Sequence, residues 1–143
     1  MDDSAPLPGF NRIGSTSPFN ELVGPLFEKH EGGDRAIGLR VAEKHLNRRR
    51  IVHGGMISTL VDFAMGYTVA RATDPPVKLV TLSLAVDFAG NATCGDWIET
   101  RVDVVRSGRR VAFVSGMVWR VAPEDEERIA RASATFLLLH PDE

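Results

Sequence analysis

One carboxylate stands alone in an otherwise uncharged stretch. Residues 54–70 read GGMISTLVDFAMGYTVA, and Asp62 is the only charged side chain among them. Seventeen residues suit one long helix at about 1.5 Å rise each. Placed at about 100° per residue, Gly55, Ser58, Thr59, Asp62 and Gly66 fall within about 60° of one line. The rest (Met56, Ile57, Leu60, Val61, Phe63, Ala64, Met65) is apolar nearly all round, which marks a buried helix. A carboxylate in that setting must be paired, hydrogen-bonded or shifted in pKa. Small neighbours leave space beside it, as around a general base or nucleophile in a pocket. The plainer alternative is an aspartate bonded to Ser58 or to a neighbouring strand as a satisfied core group.

The start of the same helix carries a second chemical feature. No Ser, Thr or Asp caps it; the chain reads Val52-His53-Gly54-Gly55. The first amide N–H groups are then left at the positive end of the helix dipole. Glycines let another group approach the backbone closely. A carbonyl oxygen gaining negative charge fits there, as in an oxyanion hole. Gly54 and Asp62 lie about 12 Å apart along one helix, too far for both to hold one reacting carbon. Two antiparallel helices about a two-fold axis would bring one copy's Gly54 to the other's Asp62, so the spacing asks for a dimeric site.

Other residues offer less. Thr81 and Ser83 alternate onto one strand face, where hydroxyls are common. Arg106, Arg109 and Arg110 flank a hairpin, and Arg48-Arg49-Arg50 precede the helix. They are either solvated tips or binders of phosphates on a charged ligand. Cys94 has no histidine near it in sequence and is not read as a nucleophile. His30, His45, His53 and His140 give no metal-ligand spacing, and there is neither a P-loop nor a GxGxxG. No metal and no resident cofactor is expected.

The elements that must position these groups follow from period and punctuation. Residues 1–18 are rich in Pro and Gly and read as a flexible arm, leaving 19–143 as the domain. Asn20 caps a short helix over 21–29, interrupted by Pro25 and ended by Gly32-Gly33-Asp34. A first strand spans 36–43. After Pro75-Pro76 the period becomes two: strands over 77–88, 97–106, 109–121 and 128–139, joined by short turns that imply antiparallel neighbours. One curved sheet covers one side of the helix; the other side needs a second copy.

Composition sets the bounds. Apolar residues make 43% of the 143 and charged residues 25%, enough for one folded domain. A net charge of −2 argues against general nucleic-acid binding. No apolar run approaches the ~20 residues of a membrane span. The start, MDDSAPLPG, lacks the basic and apolar regions of a secretory signal. A single cysteine allows no intrachain disulfide and fits a reducing, cytoplasmic compartment.

Residues 47–70, NRRRIVHGGMISTLVDFAMGYTVA, resemble the signature of the hotdog-fold acyl-CoA thioesterases, in the branch of the phenylacetyl-CoA-type and human thioesterase-superfamily-member enzymes. The carriers are Asn47, the HGG of 53–55, and Asp62 seven residues after the second glycine. VTLSLAVDF and the RSGRR hairpin resemble the same family, and the likeness spans about residues 20–139. It implies an α+β hotdog fold: one long central helix wrapped by a curved antiparallel sheet of about five to six strands. It implies a homodimer, often paired into a homotetramer, with sites at the dimer interface and acyl-CoA as substrate. By resemblance, Asp62 acts as base or nucleophile on the thioester and the Gly54 N–H polarises its carbonyl. Asn47 positions the thioester or the water, His53 shapes the loop beside Gly55 and Ser58, and Thr81, where the family has Ser, orients the water with Ser83 on the same face. Two other readings stay open: a hotdog enoyl-CoA hydratase or dehydratase, and a non-catalytic acyl-CoA-binding protein. A helix-turn-helix sensor does not fit residues 1–35, which are short, Pro/Gly-rich and not basic.

Overall fold

The computed structural model describes residues 5–14 and 16–141. Its elements are β1 (Asn11–Arg12), α1 (Pro18–Val23), β2 (Phe27–Glu31), β3 (Asp34–Arg40), α2 (Gly54–Ala70), β4 (Lys78–Phe88), β5 (Trp97–Ser107), β6 (Val111–Ala122) and β7 (Asp125–Leu139). All seven strands form one antiparallel sheet in the order β1-β2-β3-β5-β6-β7-β4. The sheet curves around α2, and the architecture is the hotdog fold.

The core lies between α2 and the concave face. Leu60, Val61, Ala64 and Met65 of the helix are fully buried against Ile37, Leu39, Ile98, Val118 and Phe136. Each large side chain removed from water in this way contributes about 1.5–3 kcal/mol. Gly66 serves this packing: a Cβ there would stand 3.3 Å from Phe136 and 3.4 Å from Leu79. It is therefore a helix–sheet contact and does not open space beside Asp62.

A second cluster sits on the convex face, where Phe10, Phe27 and Ala36 enclose Trp97. The indole lies over Gly38; a Cβ at that position would come within 2.1 Å of the ring. The Trp97 Nε1–H donates to Glu99 Oε1 at 3.0 Å, so the polar edge of the buried ring is satisfied.

Three expectations need correction. The helix expected over 21–29 spans only Pro18–Val23, capped by Ser17 Oγ rather than by Asn20. Residues 27–31 are instead β2, joined to β3 through Gly32-Gly33. Gly32 has φ +60, the left-handed geometry that closes a two-residue hairpin, so these glycines start a strand pair instead of ending a helix. Together with β1, in the segment read as an arm, this accounts for seven strands where about five to six were expected. The segment after β4 is also no tight turn. Residues 89–96 cross over, β4 pairs with β7 at one sheet edge, and β5 pairs with β3. Backbone bonds from Val52 N–H to Ala92 O and from Gly95 N–H to Val41 O, each 2.8 Å, hold that crossover against the chain entering α2.

Of the segment read as an arm, residues 1–4 and 15 lie outside the described residues. Residues 5–14 run along the sheet edge, with Phe10 buried on Trp97 and the Ala5 carbonyl accepting from Arg40 at 2.9 Å. No helix among the described residues is long and apolar enough to cross a membrane.

Candidate active site

Asp62 is half-buried in the middle of α2 and faces the edge strand β4. The Thr81 hydroxyl donates to its Oδ1 at 2.7 Å. The bond fixes one carboxylate oxygen and leaves the other to act on a ligand. Register explains why Thr81 can reach it. Thr81 pairs with Phe136, which is fully buried against the helix, so both point inward.

Ser83 does not share that face. The β4–β7 register shifts between Thr81 and Ser83, so Leu82 is an extra residue and every later side chain changes sides. Ser83 pairs with Thr135, whose other neighbour is the exposed Phe113, on the convex face. Leu84, Val86 and Phe88 then point inward, and the Phe88 ring lies about one van der Waals contact from Gly54. Ser83 is therefore separated from Asp62 by the sheet.

The helix start is capped after all, by a residue type outside the usual set. His53 Nδ1 accepts the Gly55 N–H at 2.8 Å. A Cβ on Gly55 would stand 2.9 Å from that nitrogen, so the glycine is what lets the ring reach the amide. The Met56 and Ile57 amides bond to the His53 carbonyl. No acceptor among the described residues takes the Gly54 N–H, which remains the donor at the positive helix end.

Asn47 works in the loop before the helix. Its Oδ1 accepts the Arg49 N–H at 2.9 Å and the Ile51 N–H at 3.4 Å, and its own N–H bonds to Ile51 O at 2.8 Å. The side-chain oxygen is committed to the turn; only the side-chain amide hydrogens could meet a ligand. Arg50 adopts φ +66 and pairs with Glu43, while Arg48 and Arg49 are exposed. Arg106, Arg109 and Arg110 stand on the exposed β5–β6 hairpin. Its Arg109 carbonyl accepts from His140, and its Arg110 carbonyl accepts the Leu138 N–H at 2.7 Å. The hairpin thus lies at the end of the sheet where β4 begins, whereas Gly54 lies where β4 ends.

Around Asp62 is an open cleft of about 450 Å³. Ser58, Thr59 and Phe63 line it from α2, Leu84 from β4, and Ser17, Phe19 and Asn20 from the α1 region. Thr59 donates to the Gly55 carbonyl at 2.9 Å and so is occupied within the helix. The α1 residues and Leu84 escape a reading of motifs, because α1 meets the cleft only through tertiary packing. Among the described residues no three His, Cys, Asp or Glu side chains gather in a metal-binding group.

A long helix cradled in a curved sheet, entered through His-Gly-Gly and carrying a carboxylate bonded across to the edge strand, defines a hotdog protein with a polar site on its helix. Residues 50–126 match the family model described as the thioesterase superfamily, and the chain belongs to that family. It is 37% identical over 131 residues to a Pseudomonas aeruginosa protein named "Putative esterase PA0474", covering 91% of this chain and 95% of that one. It is 26% identical over 77 residues to mouse acyl-coenzyme A thioesterase 13, covering 54% of each. A solved variant of the phenylacetic acid degradation protein PaaI from Thermus thermophilus superposes with a TM-score of 0.69 at 28% identity, over 86% of this chain and all of that one.

Proposed function

We propose that the protein hydrolyses an acyl-CoA thioester to a carboxylic acid and free CoA. The observation that carries this reading is the Asp62–Thr81 bond, which aims a carboxylate of α2 into an open cleft. Asp62 either draws a proton from water as it attacks the carbonyl carbon or attacks that carbon itself. In the first course the water oxygen bonds to carbon, the carbonyl becomes an oxyanion, and its collapse expels the CoA thiolate, which takes a proton. The Gly54 N–H stabilises the oxyanion. Thr81 holds the carboxylate, and Asn47 and His53 shape the loop that presents the amide. The chemistry calls for neither a metal nor a resident cofactor.

The active unit is a homodimer joined along β4. That strand ends the sheet, and Val80, Leu82 and Leu84 are 46%, 56% and 36% exposed along it. A long apolar edge strand invites pairing with another chain. An antiparallel pairing about an axis through Ala85, with Leu82 again the extra residue, sets Thr81 opposite the second copy's Phe88. Since Phe88 packs on Gly54, the second copy's Gly54 N–H is brought toward Asp62. The same axis brings the hairpin arginines of one copy toward the Arg48-Arg49 loop of the other. There the phosphates of CoA find cations from both chains. Pairing of two such dimers gives the homotetramer.

The test is thiol release from aromatic, short and medium acyl-CoAs, with Asp62→Asn beside the wild type. Turnover on part of the panel, reduced at least about 10²-fold in the variant, supports the reading. Binding without turnover returns the protein to an acyl-CoA binder, and hydration of an enoyl-CoA to a hydratase.

A further inference from the structure

We infer that His45 is a positioning residue of the site, whose imidazole pins the loop that presents the Gly54 N–H. Resting on the thioesterase reading above, this adds to it a residue that touches no substrate yet sets the oxyanion donor.

The Gly54 amide serves only if it is held in place, because a misplacement of about 1 Å can cost about a hundredfold in rate. It follows a loop over residues 46–52 whose Arg48, Arg49 and Arg50 are exposed. The loop closes on itself through Asn47 N–H to Ile51 O at 2.8 Å and through a bridge between Leu46 and Val52. A loop closed in this way can still swing about its base. The base is fixed by two bonds of 2.8 Å: Val52 N–H to Ala92 O, and His53 N–H to His45 O. Since His53 caps α2, the placement of His45 passes to the helix start through one bond.

What holds His45 is its own side chain. Residues 43–45 form a single 3-10 turn, too short to hold itself. The residue is buried. Its Nδ1 accepts the Ala42 N–H at 2.8 Å, and its Nε2–H donates to Val23 O at 2.6 Å. Val23 packs against the main core, so its carbonyl is a fixed post. The imidazole therefore links the core-anchored end of α1 to the turn, and the turn's carbonyl carries that link to His53.

Both ring bonds require the neutral imidazole with its proton on Nε2. A second proton on Nδ1 would face the Ala42 N–H, donor against donor. Glu43 and Lys44 of its own turn, Arg40 of β3 and Cys94 of the crossover line one groove with the ring. Glu43 is paired with Arg50, and Lys44 Nζ donates to Gly24 O at 2.6 Å. Arg40 donates to the carbonyls of Ala5 and Gly95. Glu21, the acid of α1, accepts from the Thr16 hydroxyl at 2.9 Å. The nearby carboxylates are thus engaged elsewhere, and burial favours the uncharged ring. Acid breaks the link and releases the loop.

Thiol release and hydrogen exchange of the full chain test this. His45→Asn sets an amide oxygen where Nδ1 was and loses the donor to Val23; His45→Gln sets an amide nitrogen where Nε2 was and keeps it. At about pH 7.5, His45→Asn should lower kcat at least about tenfold with KM within about twofold, and His45→Gln should recover most of the loss. Lys44→Ala, which removes the neighbouring tether and spares the ring, should stay within about twofold of the wild type. In the wild type, kcat should take an acid step between about pH 6.5 and 5.5, and His45→Gln should lack it. In His45→Asn, the amides of Asn47, Val52 and His53 should exchange at least about tenfold faster while β5 and β6 keep their protection, which shows the fold intact. Equal kcat losses in Asn and Gln overturn the inference, as does a loss confined to KM or an equal loss in Lys44→Ala. So does an acid step that persists in His45→Gln, which would belong to His53. Hydrolysis is judged apart from this: absent wild-type turnover with the expected exchange defeats only hydrolysis, whereas normal turnover in His45→Asn with unchanged exchange defeats only the role of His45.

Discussion

If the site is shared between two copies, two inactive variants should rescue one another. Gly54→Pro removes the proposed oxyanion donor and disturbs little else. Proline is favoured at the first helical position, and His53, at φ −64 and ψ 135, already has the extended geometry that precedes it. The new Cβ would meet Phe88 at 3.4 Å, a contact the exposed ring can accommodate. Loss of one such donor costs about 10²–10³ in kcat. Asp62→Asn keeps the shape of the side chain and loses at least about 10². Within one chain the two groups are about 12 Å apart along α2, so no single chain assembles a site. A mixed dimer has one doubly damaged site and one intact site. With random association about half the dimers are mixed, so a co-refolded mixture should regain about a quarter of wild-type thiol release. Each variant alone should stay near or below about one hundredth. A mixture that stays at the parental level, while native mass spectrometry shows mixed dimers, would refute the shared site.

Three further outcomes follow from particular contacts. Thr81→Val removes the donor to Asp62 with little change of shape; kcat should fall about tenfold at steady state with KM unchanged, and Thr81→Ser should recover most of it. His45 accepts the Ala42 N–H on Nδ1 at 2.8 Å while its Nε2 donates to Val23, an arrangement only the neutral ring can make. Burial holds its pKa below the usual 6.5, with Lys44 acting in the same direction. The unfolded chain then binds the proton first, so this stability is complete above about pH 6.5 and is lost as pH falls through the folded-state value. Urea midpoints should show that loss between pH 7.5 and 5.5 shrinking in His45→Gln, and an equal loss in both proteins would discount His45. Finally, Gly38→Ala drives a Cβ into the Trp97 ring and should cost about 1–3 kcal/mol or more in urea unfolding; a neutral result would mean the indole can move aside.

The fold was legible wherever one period persisted. The helix over 54–70 and the late strands stand out, because a buried face repeats along them for ten or more residues. The first thirty-five residues were not legible in that way. FEKHE has the composition of a helix end, yet it becomes β2 because β3 offers a partner across a Gly-Gly turn. That pairing is a tertiary fact, and local propensity yields to it. The bulge at Leu82 is hidden for a related reason. VTLSLAVDF alternates without a break, Val80, Leu82, Leu84, Val86 and Phe88 against Thr81, Ser83, Ala85 and Asp87, so the sequence shows one continuous period and the shift of one residue leaves no mark in it. Asp62, His53 and Gly54 could be singled out because their types are rare in such a helix. The cleft wall of α1 could not, since nothing in its spacing points at Asp62.

The bulge also explains how one strand can do two jobs. A regular β4 that pointed Thr81 at Asp62 would turn Leu79, Thr81 and Ser83 inward together, and Leu84 and Phe88 outward. The helix start would then lose the Phe88 ring that packs on Gly54. With one extra residue the first part of the strand offers a hydroxyl to the carboxylate, and the later part offers apolar side chains to the helix N-terminus. Bulged strands also twist more strongly and pair poorly with an arbitrary neighbour. In the proposed pairing about Ala85 each bulge falls opposite the regular Asp87–Phe88 end of the other strand, and the two bulges lie symmetrically about the axis. The bulge that aims Thr81 thus also sets the register in which Thr81 would meet the second copy's Phe88, and this ties the chemistry of Asp62 to the assembly proposed to complete it.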